Sequence, residues 1–323
     1  MRGRFVPARL KKTGSARLRI GRRSIDLSAL GKKLFPRSKI TKGEMIAYYE
    51  RIAPTMAPYL KNRLLVLHRY PNGIAEEGFY QKDASLYFPE WIPRVAVKKR
   101  EDGTTNYVVC NEAATLVYLA NQGTITFHTW LSRIPKIDYP DKLVFDFDPP
   151  PRTPFSRISW AALECRKLLD SLGLPTFVMT TGSRGLHVVV PLKPQETFDA
   201  VKKFARNCAQ VLIMRHPGKF TLEMRKVKRG RRILVDIFRN AFAQISVTPY
   251  SLRAKPGAPV ATPIRWQELT RGSVSSSQRY TIKNIFRRLA RTQDPWHDFR
   301  AQATTLTRAR TQLAKLLKQE AEL

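Results

Sequence analysis

The stretch Lys142-Leu143-Val144-Phe145-Asp146-Phe147-Asp148-Pro149-Pro150 sets two acids in an otherwise apolar run. As a β-strand it turns alternate side chains to opposite faces, so Leu143, Phe145 and Phe147 share one side and Val144, Asp146 and Asp148 the other. Two carboxylates then converge on one face, where like charges repel unless a cation lies between them. In a chain with 58 Lys and Arg against 25 Asp and Glu, a small acidic focus reads as a divalent-metal site. Taken alone, the run also fits a solvated strand end before a turn.

The net charge of +33 on 323 residues points to a polyanionic partner, and nucleic acid fits better than a membrane surface. No apolar run approaches the ~20 residues of a spanning helix, and the N-terminus lacks a signal-peptide core. Cys110, Cys165 and Cys208 are odd in number and widely spaced among apolar residues, so no disulfide framework or zinc pair can be read from them, and they read as buried thiols in a reducing cytoplasm. The histidines show no zinc-ligand spacing. At 43% apolar the chain can bury a large core.

Outward from the acidic strand, helices and strands alternate without an internal repeat. Residues 1–23 are dense in Arg and Lys and read as a basic arm that orders on a phosphate backbone, with a short edge strand through Leu18 and Ile20 as the alternative. Thr41 and Glu44 form a capping-box pattern ahead of Met45, Ile46, Tyr49 and Ile52 at helical spacing. Strands are expected at 64–67, 78–81, 106–110 and 125–128, with a helix over 112–121. Beyond the acids, the pattern gives a helix over 156–172 stopped by Gly173, strands at 176–180 and 186–191, a helix over 196–214 and a strand over 232–238. A Pro-, Gly- and Ala-rich loop spans 251–263, and two helices, about 277–291 and 299–320, follow. The fold class is α+β (mixed α/β). No linker composition follows Arg23, so residues 24–323 read as a single domain, with an N-terminal lobe over about 24–125, a second lobe over about 126–298 and a C-terminal helix over 299–320.

Two further runs carry chemistry. Thr180-Thr181-Gly182-Ser183-Arg184-Gly185-Leu186-His187 places small, hydroxyl and basic residues in a turn, where backbone N–H groups, Ser183, Arg184 and His187 can meet an anion. It lacks the Walker ending and the dinucleotide spacing, and by itself it also fits a glycine hairpin. In the run from Arg229 to Asn240, Ile233, Val235 and Ile237 line one face of a strand while Asp236 emerges from the other with Leu234 and Phe238. Three acids on two strands suit a pair of oxygen-ligated cations, the arrangement for in-line phosphoryl transfer.

The order Asp146-x-Asp148, Gly182-Ser183-x-Gly185-x-His187, Asp236 resembles the three motifs of the archaeo-eukaryotic primase superfamily. More closely, Leu143 to Pro149, His128-x-Trp130, Tyr70-Pro71-Asn72-Gly73 and the run from Pro249 to Gly257 resemble the polymerase domain of bacterial ligase D, from about Leu27 to Trp296. The resemblance implies a primase-type catalytic core of two sheet-based lobes flanked by helices. It implies a nucleotidyltransferase that extends a DNA primer from NTPs or dNTPs, favouring ribonucleotides, with divalent metal, Mn2+ or Mg2+, as two ions. Asp146, Asp148 and Asp236 would hold the metals, and His128 would stand in the active site, although it also reads as a packed histidine beside Trp130. Thr181, Ser183, Arg184, Gly185, His187 and Arg253 would hold the triphosphate, with Arg184 where lysine is common.

In the N-terminal lobe the resemblance assigns Lys32 and Lys42 to a 5′ phosphate and Phe79 and Tyr80 to stacking on template bases. Arg69 and Lys82 are further basic candidates for DNA, and each of these last four also reads as an ordinary sheet residue. Ala29 stands where the family has an asparagine, which puts a full 5′-phosphate pocket in doubt. No Lys-x-Asp-Gly ligase motif and no phosphoesterase cluster of His and Asp is present, so the chain reads as a stand-alone polymerase unit, or one cut from a larger protein. The expected partners are DNA with gaps or double-strand breaks, a separate ATP-dependent ligase and an end-binding protein. The protein is expected as a monomer in the cytoplasm, on the nucleoid. A primer-independent primase-polymerase and a non-catalytic gap-binding module are the alternative functions. The aspartate-nucleophile phosphatases also use Asp-x-Asp, but Pro149 and Pro150 do not suit their pattern.

Overall fold

The computed structural model describes residues 15–99 and 102–322. Most of the expected basic arm, residues 1–14, lies outside them. From Ala16 the chain is already sheet: β1 (Ala16–Ile20) pairs antiparallel with β2 (Arg23–Leu27), whose Ile25 and Leu27 are buried. β3 (Lys33–Phe35) and β4 (Ile40–Thr41) then lead into α1 (Lys42–Leu60). The capping box forms: Thr41 Oγ1 accepts from the Glu44 N–H at 3.2 Å, and Glu44 Oε2 accepts from the Thr41 N–H at 2.7 Å.

Next come β5 (Leu65–Arg69), β6 (Phe79–Gln81), the hairpin β7 (Arg94–Lys98) and β8 (Thr104–Val108), α2 (Ala113–Asn121) and β9 (Thr124–Trp130). The acidic run is β10 (Lys142–Asp148), followed by α3 (Phe155–Ser171), β11 (Phe177–Thr180), β12 (Leu186–Pro191), α4 (Phe198–Arg215), β13 (Phe220–Thr221), the single-turn α5 (Lys226–Arg229) and β14 (Ile233–Asp236). β15 (Ile245–Val247), β16 (Thr262–Ile264), α6 (Trp266–Thr270), α7 (Ile285–Leu289) and α8 (Thr307–Ala321) complete the chain.

Two sheets organise the molecule. One has the order β15-β9-β5-β6, the other β13-β14-β10-β12-β11-β16. In β10 the alternation places Leu143, Phe145 and Phe147 in a core with α3, α4 and the start of α8, while Val144 packs on the opposite side with Leu131, Val189 and Val247. In the smaller sheet Leu65, Leu67, Ile125 and Phe127 pack against α1 and α2. Helices thus cover one face of each sheet, and the remaining faces line a shared cleft. β15 follows β14 in sequence yet pairs with β9, so residues 245–247 of the expected second lobe belong to the sheet of the first. β9 also carries His128 into that sheet, across the expected boundary near residue 125.

Three expected elements differ. The strand over 232–238 stops at Asp236, because Asp236 Oδ1 accepts from the Phe238 N–H at 2.8 Å and curls the chain into a 3-10 turn, Phe238–Asn240. The helix over 277–291 shrinks to α7, since Tyr280 O accepts from Val260 N (2.9 Å) and Ile282 N donates to Ala258 O (3.0 Å), pinning that backbone to the preceding loop. The C-terminal helix begins at Thr307 instead of 299. Residues 299–302 form irregular turns, and the chain is then held extended at Thr304, which bridges to the end of β12: Thr304 N donates to Pro191 O and Thr304 O accepts from Lys193 N.

Candidate active site

β10 sits between β12 and β14, and the register brings the three motifs together. Asp146 is opposite His187 on one side and opposite Asp236 on the other. Directly opposed side chains in an antiparallel pair have Cβ atoms roughly 5 Å apart, so two carboxylates and an imidazole are forced into one patch by hydrogen bonding alone. Asn240, fully buried, fixes this patch from beneath: its amide oxygen accepts from Val144 N at 2.8 Å and its Nδ2 donates to Val144 O at 2.7 Å.

Guanidinium groups bind the acids. Arg239 lies 3.3 Å from Asp146 and 3.4 Å from Asp236, bridging them. Arg184 and Arg229 reach the two oxygens of Asp148 at 3.1 and 3.0 Å. His187 Nε2 is 3.4 Å from Asp146. Burial opposes ionisation of Asp146, but His187 and Arg239 outweigh it and hold the carboxyl well below the usual carboxylate range. Asp236 goes the other way: burial, with the Asp146 charge adding to it, raises its pKa despite Arg239. Among the described residues no three His, Cys, Asp or Glu side chains are drawn together as ligands of one ion.

The turn between β11 and β12 closes over this patch. Gly185 lies so near β10 that a Cβ there would sit 2.0 Å from the Phe147 carbonyl oxygen. Gly182, at φ +65°, is packed against Arg253. The Thr181 hydroxyl accepts from Ser183 N at 3.2 Å, and Ser277 Oγ donates to Gly185 O at 2.6 Å. Arg253 donates to Thr181 O at 2.9 Å, which ties the long loop to the turn. That loop is in turn held by α1, where Tyr49 Oη accepts from Leu252 N at 3.0 Å and Tyr48 donates to Tyr250 O at 2.7 Å.

His128 arrives from the facing sheet, 7% exposed, and its Nδ1 has no partner among the described residues. Burial first, then Arg253 and the neighbouring histidines, drive its pKa well below the usual imidazole value. All of Asp146, Asp148, Asp236, His128, Thr181, Ser183, Arg184, Gly185, His187 and Arg253 line one cavity of about 680 Å³, together with Tyr80 and Lys82. Tyr80 is 55% exposed and stacks on His68 at 4.0 Å and 11°.

Lys32, Lys42, Arg69 and Phe79 do not line it. The two lysines lie together elsewhere: Lys42 N donates to Lys32 O, Lys32 Nζ donates to Asn72 at 2.7 Å and Lys42 Nζ to Ser28 at 3.4 Å. Burial, then the charge on Lys32, lowers the Lys42 pKa to about 8. Ala29, beside them, takes φ +51°, a left-handed conformation in which asparagine is enriched and alanine is not. Arg69 is buried, donating to Gln122 O, Gln81 and Tyr87, with its guanidinium 5.4 Å from the Phe79 ring.

Sequence reasoning missed Arg229, Arg239, Asn240 and Ser277. Arg229, Arg239 and Asn240 flank Asp236 in the run already singled out, so proximity in sequence was the available signal. For Ser277 there was none.

A profile of the family described as "LigD, primase-polymerase domain" matches residues 41–296. The multifunctional non-homologous end joining protein LigD of Mycolicibacterium smegmatis is 33% identical over 245 residues, 74% of this chain and 31% of that protein. The bifunctional LigD of Bacillus subtilis is 30% identical over 276 residues, 85% of this chain and 44% of that protein. The chain therefore spans less than half the length of these relatives. The polymerase domain of Mycobacterium tuberculosis ligase D, solved in complex with DNA, matches with a TM-score of 0.80 at 30% identity, covering 87% of this chain and 99% of that one. With a family profile over most of its length and the fold shared, the chain belongs to the LigD primase-polymerase domain family.

Proposed function

We propose that this nucleotidyltransferase extends a DNA primer end across a short gap or a double-strand break, copying the template in non-homologous end joining. The observation that carries the reading is the register of Asp146 against Asp236 and His187, within one cavity shared with the Thr181–Gly185 turn and with His128 of the facing sheet.

The acids fit divalent metal. Asp146 and Asp236 are opposed, bridged by Arg239, and burial, with the Asp146 charge adding to it, disfavours the Asp236 carboxylate, a penalty that a bound cation would offset. Oxygen donors of this kind suit Mn2+ or Mg2+, and we propose Asp146, Asp148 and Asp236 as the residues that hold two ions. Such ions supply activation of the primer hydroxyl and neutralisation of triphosphate charge. The protein's own part is orientation. Ser183, Arg184, Gly185, His187 and Arg253 form a cationic, N–H-rich cradle for the triphosphate, and Thr181 holds the turn's shape. His128 borders the reacting groups, and Tyr80 with Phe79 offers stacking surface to template bases.

Lys32 and Lys42 are proposed to take the 5′ phosphate across the gap, supported by Ser28 and Asn72. Lys82 reaches the backbone near the catalytic cleft, while Arg69 acts from beneath Phe79. Preference for ribonucleotides is carried over from the resemblance. A separate ligase and an end-binding protein would complete the joining, on chromosomal DNA in the cytoplasm, with this chain acting as a monomer. Among the described residues no helix is long and apolar enough to cross a membrane.

Primer extension on gapped duplexes, with and without a 5′ phosphate, in Mn2+ or Mg2+ and with each nucleotide type, tests the reading. Extension stimulated by the 5′ phosphate is expected. Synthesis without any primer, or none in either metal, would go against it.

A further inference from the structure

A second cavity, of about 460 Å³, opens at the other end of β10. Lys142 borders it, on the same strand face as Asp146 but four residues, or about 13 Å, away. Val144, 1% exposed, separates the two. The wall is apolar, contributed by Pro58 and Tyr59 of α1, Pro249, Trp296 and Phe299.

Its charges do not balance. Among the described residues, four basic side chains, Arg63, Arg133, Lys142 and Arg300, border the cavity against one acid, Asp294, and Asp141 lies behind the two arginines. Asp141 is shared by Arg63 at 2.7 Å and Arg133 at 2.8 Å, and the remaining donors of those arginines go largely to backbone carbonyls. Asp294 accepts from the Tyr59 hydroxyl at 2.6 Å and from Trp296 N at 3.0 Å. Among the described residues the Lys142 side chain makes one hydrogen bond, from Nζ to Ser246 Oγ at 3.2 Å, although it is only 7% exposed. An ammonium has three donors, and burying one beside two arginines costs free energy that Asp141, already shared by those arginines, offsets only in part. Burial, with Arg63 next, pushes the Lys142 pKa well below the usual lysine range. Arg300, exposed at the rim, has no ion pair among the described residues.

We propose that this cavity binds a small organic oxyanion, a carboxylate or phosphate head on a compact apolar body, with Lys142 and Arg300 contacting the head and the Tyr59–Trp296 wall the body. The volume lies in the range of small-molecule sites. The site stands apart from the catalytic cleft and does not depend on the polymerase reading.

Titration of the full chain with phenyl phosphate, benzoate and inorganic phosphate, read by the indole N–H NMR signal of Trp296 assigned through Trp296→Phe, tests it. Saturable shifts are expected with at least one aryl anion, at lower concentration than with inorganic phosphate, and the tighter of the two aryl anions identifies the head group. Lys142→Met and Arg300→Glu should each weaken the binding about tenfold or more. Arg253→Ala, in the other cavity, should leave it unchanged. Lys142→Met replaces a buried charge with an apolar chain of similar length, and Arg300→Glu alters only an exposed position, so at least one variant reports on a folded protein. No shift of the Trp296 signal, or a shift indifferent to both variants, would overturn the site.

Discussion

Lys42 is charged below about pH 8 and neutral above it, because burial and the neighbouring Lys32 disfavour its ammonium. A 5′ phosphate held there, as proposed, would be attracted only by the charged form and would draw the pKa upward. Preference for a 5′-phosphorylated gap over an unphosphorylated one should therefore be greatest near pH 7 and fade toward higher pH, later in the complex than in the free protein. Lys42→Met should lower that preference about tenfold, the worth of one charge-assisted bond, and flatten its pH dependence. Competition between the two duplexes, followed by fluorescence anisotropy at pH 7 and pH 9, measures both; a native preference that grows with pH would contradict the assignment. The acids and His187 were legible because strand alternation fixes which side chains share a face. Arg229 and Arg239 were not, since one arginine among 58 basic residues carries no positional signal until Asp148, Asp146 and Asp236 are seen against it.

The turn from β11 to β12 depends on Gly185, where a Cβ would meet the Phe147 carbonyl at 2.0 Å. Gly185→Ala must push the turn away from β10, and with it the proposed triphosphate cradle. A displacement of about 1 Å is enough to cost about 100-fold in rate, so kcat should fall by at least that much while circular dichroism keeps its native form. Retained turnover would show that the cradle is elsewhere. At the start of α1, Thr41→Ala removes the cap on the helix that also anchors the Arg253 loop, and should lower unfolding free energy by about 1 kcal/mol in a denaturant titration. Local signals of this kind, the capping box and Gly173 after α3, placed helix ends well. They failed where long-range pairing captured the backbone, at Thr304 beside Leu192 and at Thr281 beside Pro259. No helical periodicity reveals a bridge partner elsewhere in the chain, near or far in sequence.

Over the whole molecule, the +33 charge should make affinity for gapped DNA fall steeply with salt, with about one unit of the log–log slope for each phosphate neutralised. Lys32→Ala should reduce that slope by about one, measured by anisotropy across a salt series, and a flat response would separate the charge from nucleic acid. The two-sheet plan was legible from alternating strands, but the pairing of β15 with β9 was not. It joins the lobes and sets His128 across the cleft from Asp146, and nothing in three residues of strand specifies a partner in the other sheet. The central claim is that these sheets enclose a nucleotidyl-transfer site. Primer extension on a 5′-phosphorylated gapped duplex, native chain beside Asp148→Ala, tests it most directly. The native chain should add nucleotides, and the variant should bind the duplex with nearly unchanged affinity and add none; extension by Asp148→Ala at the native rate would contradict the account.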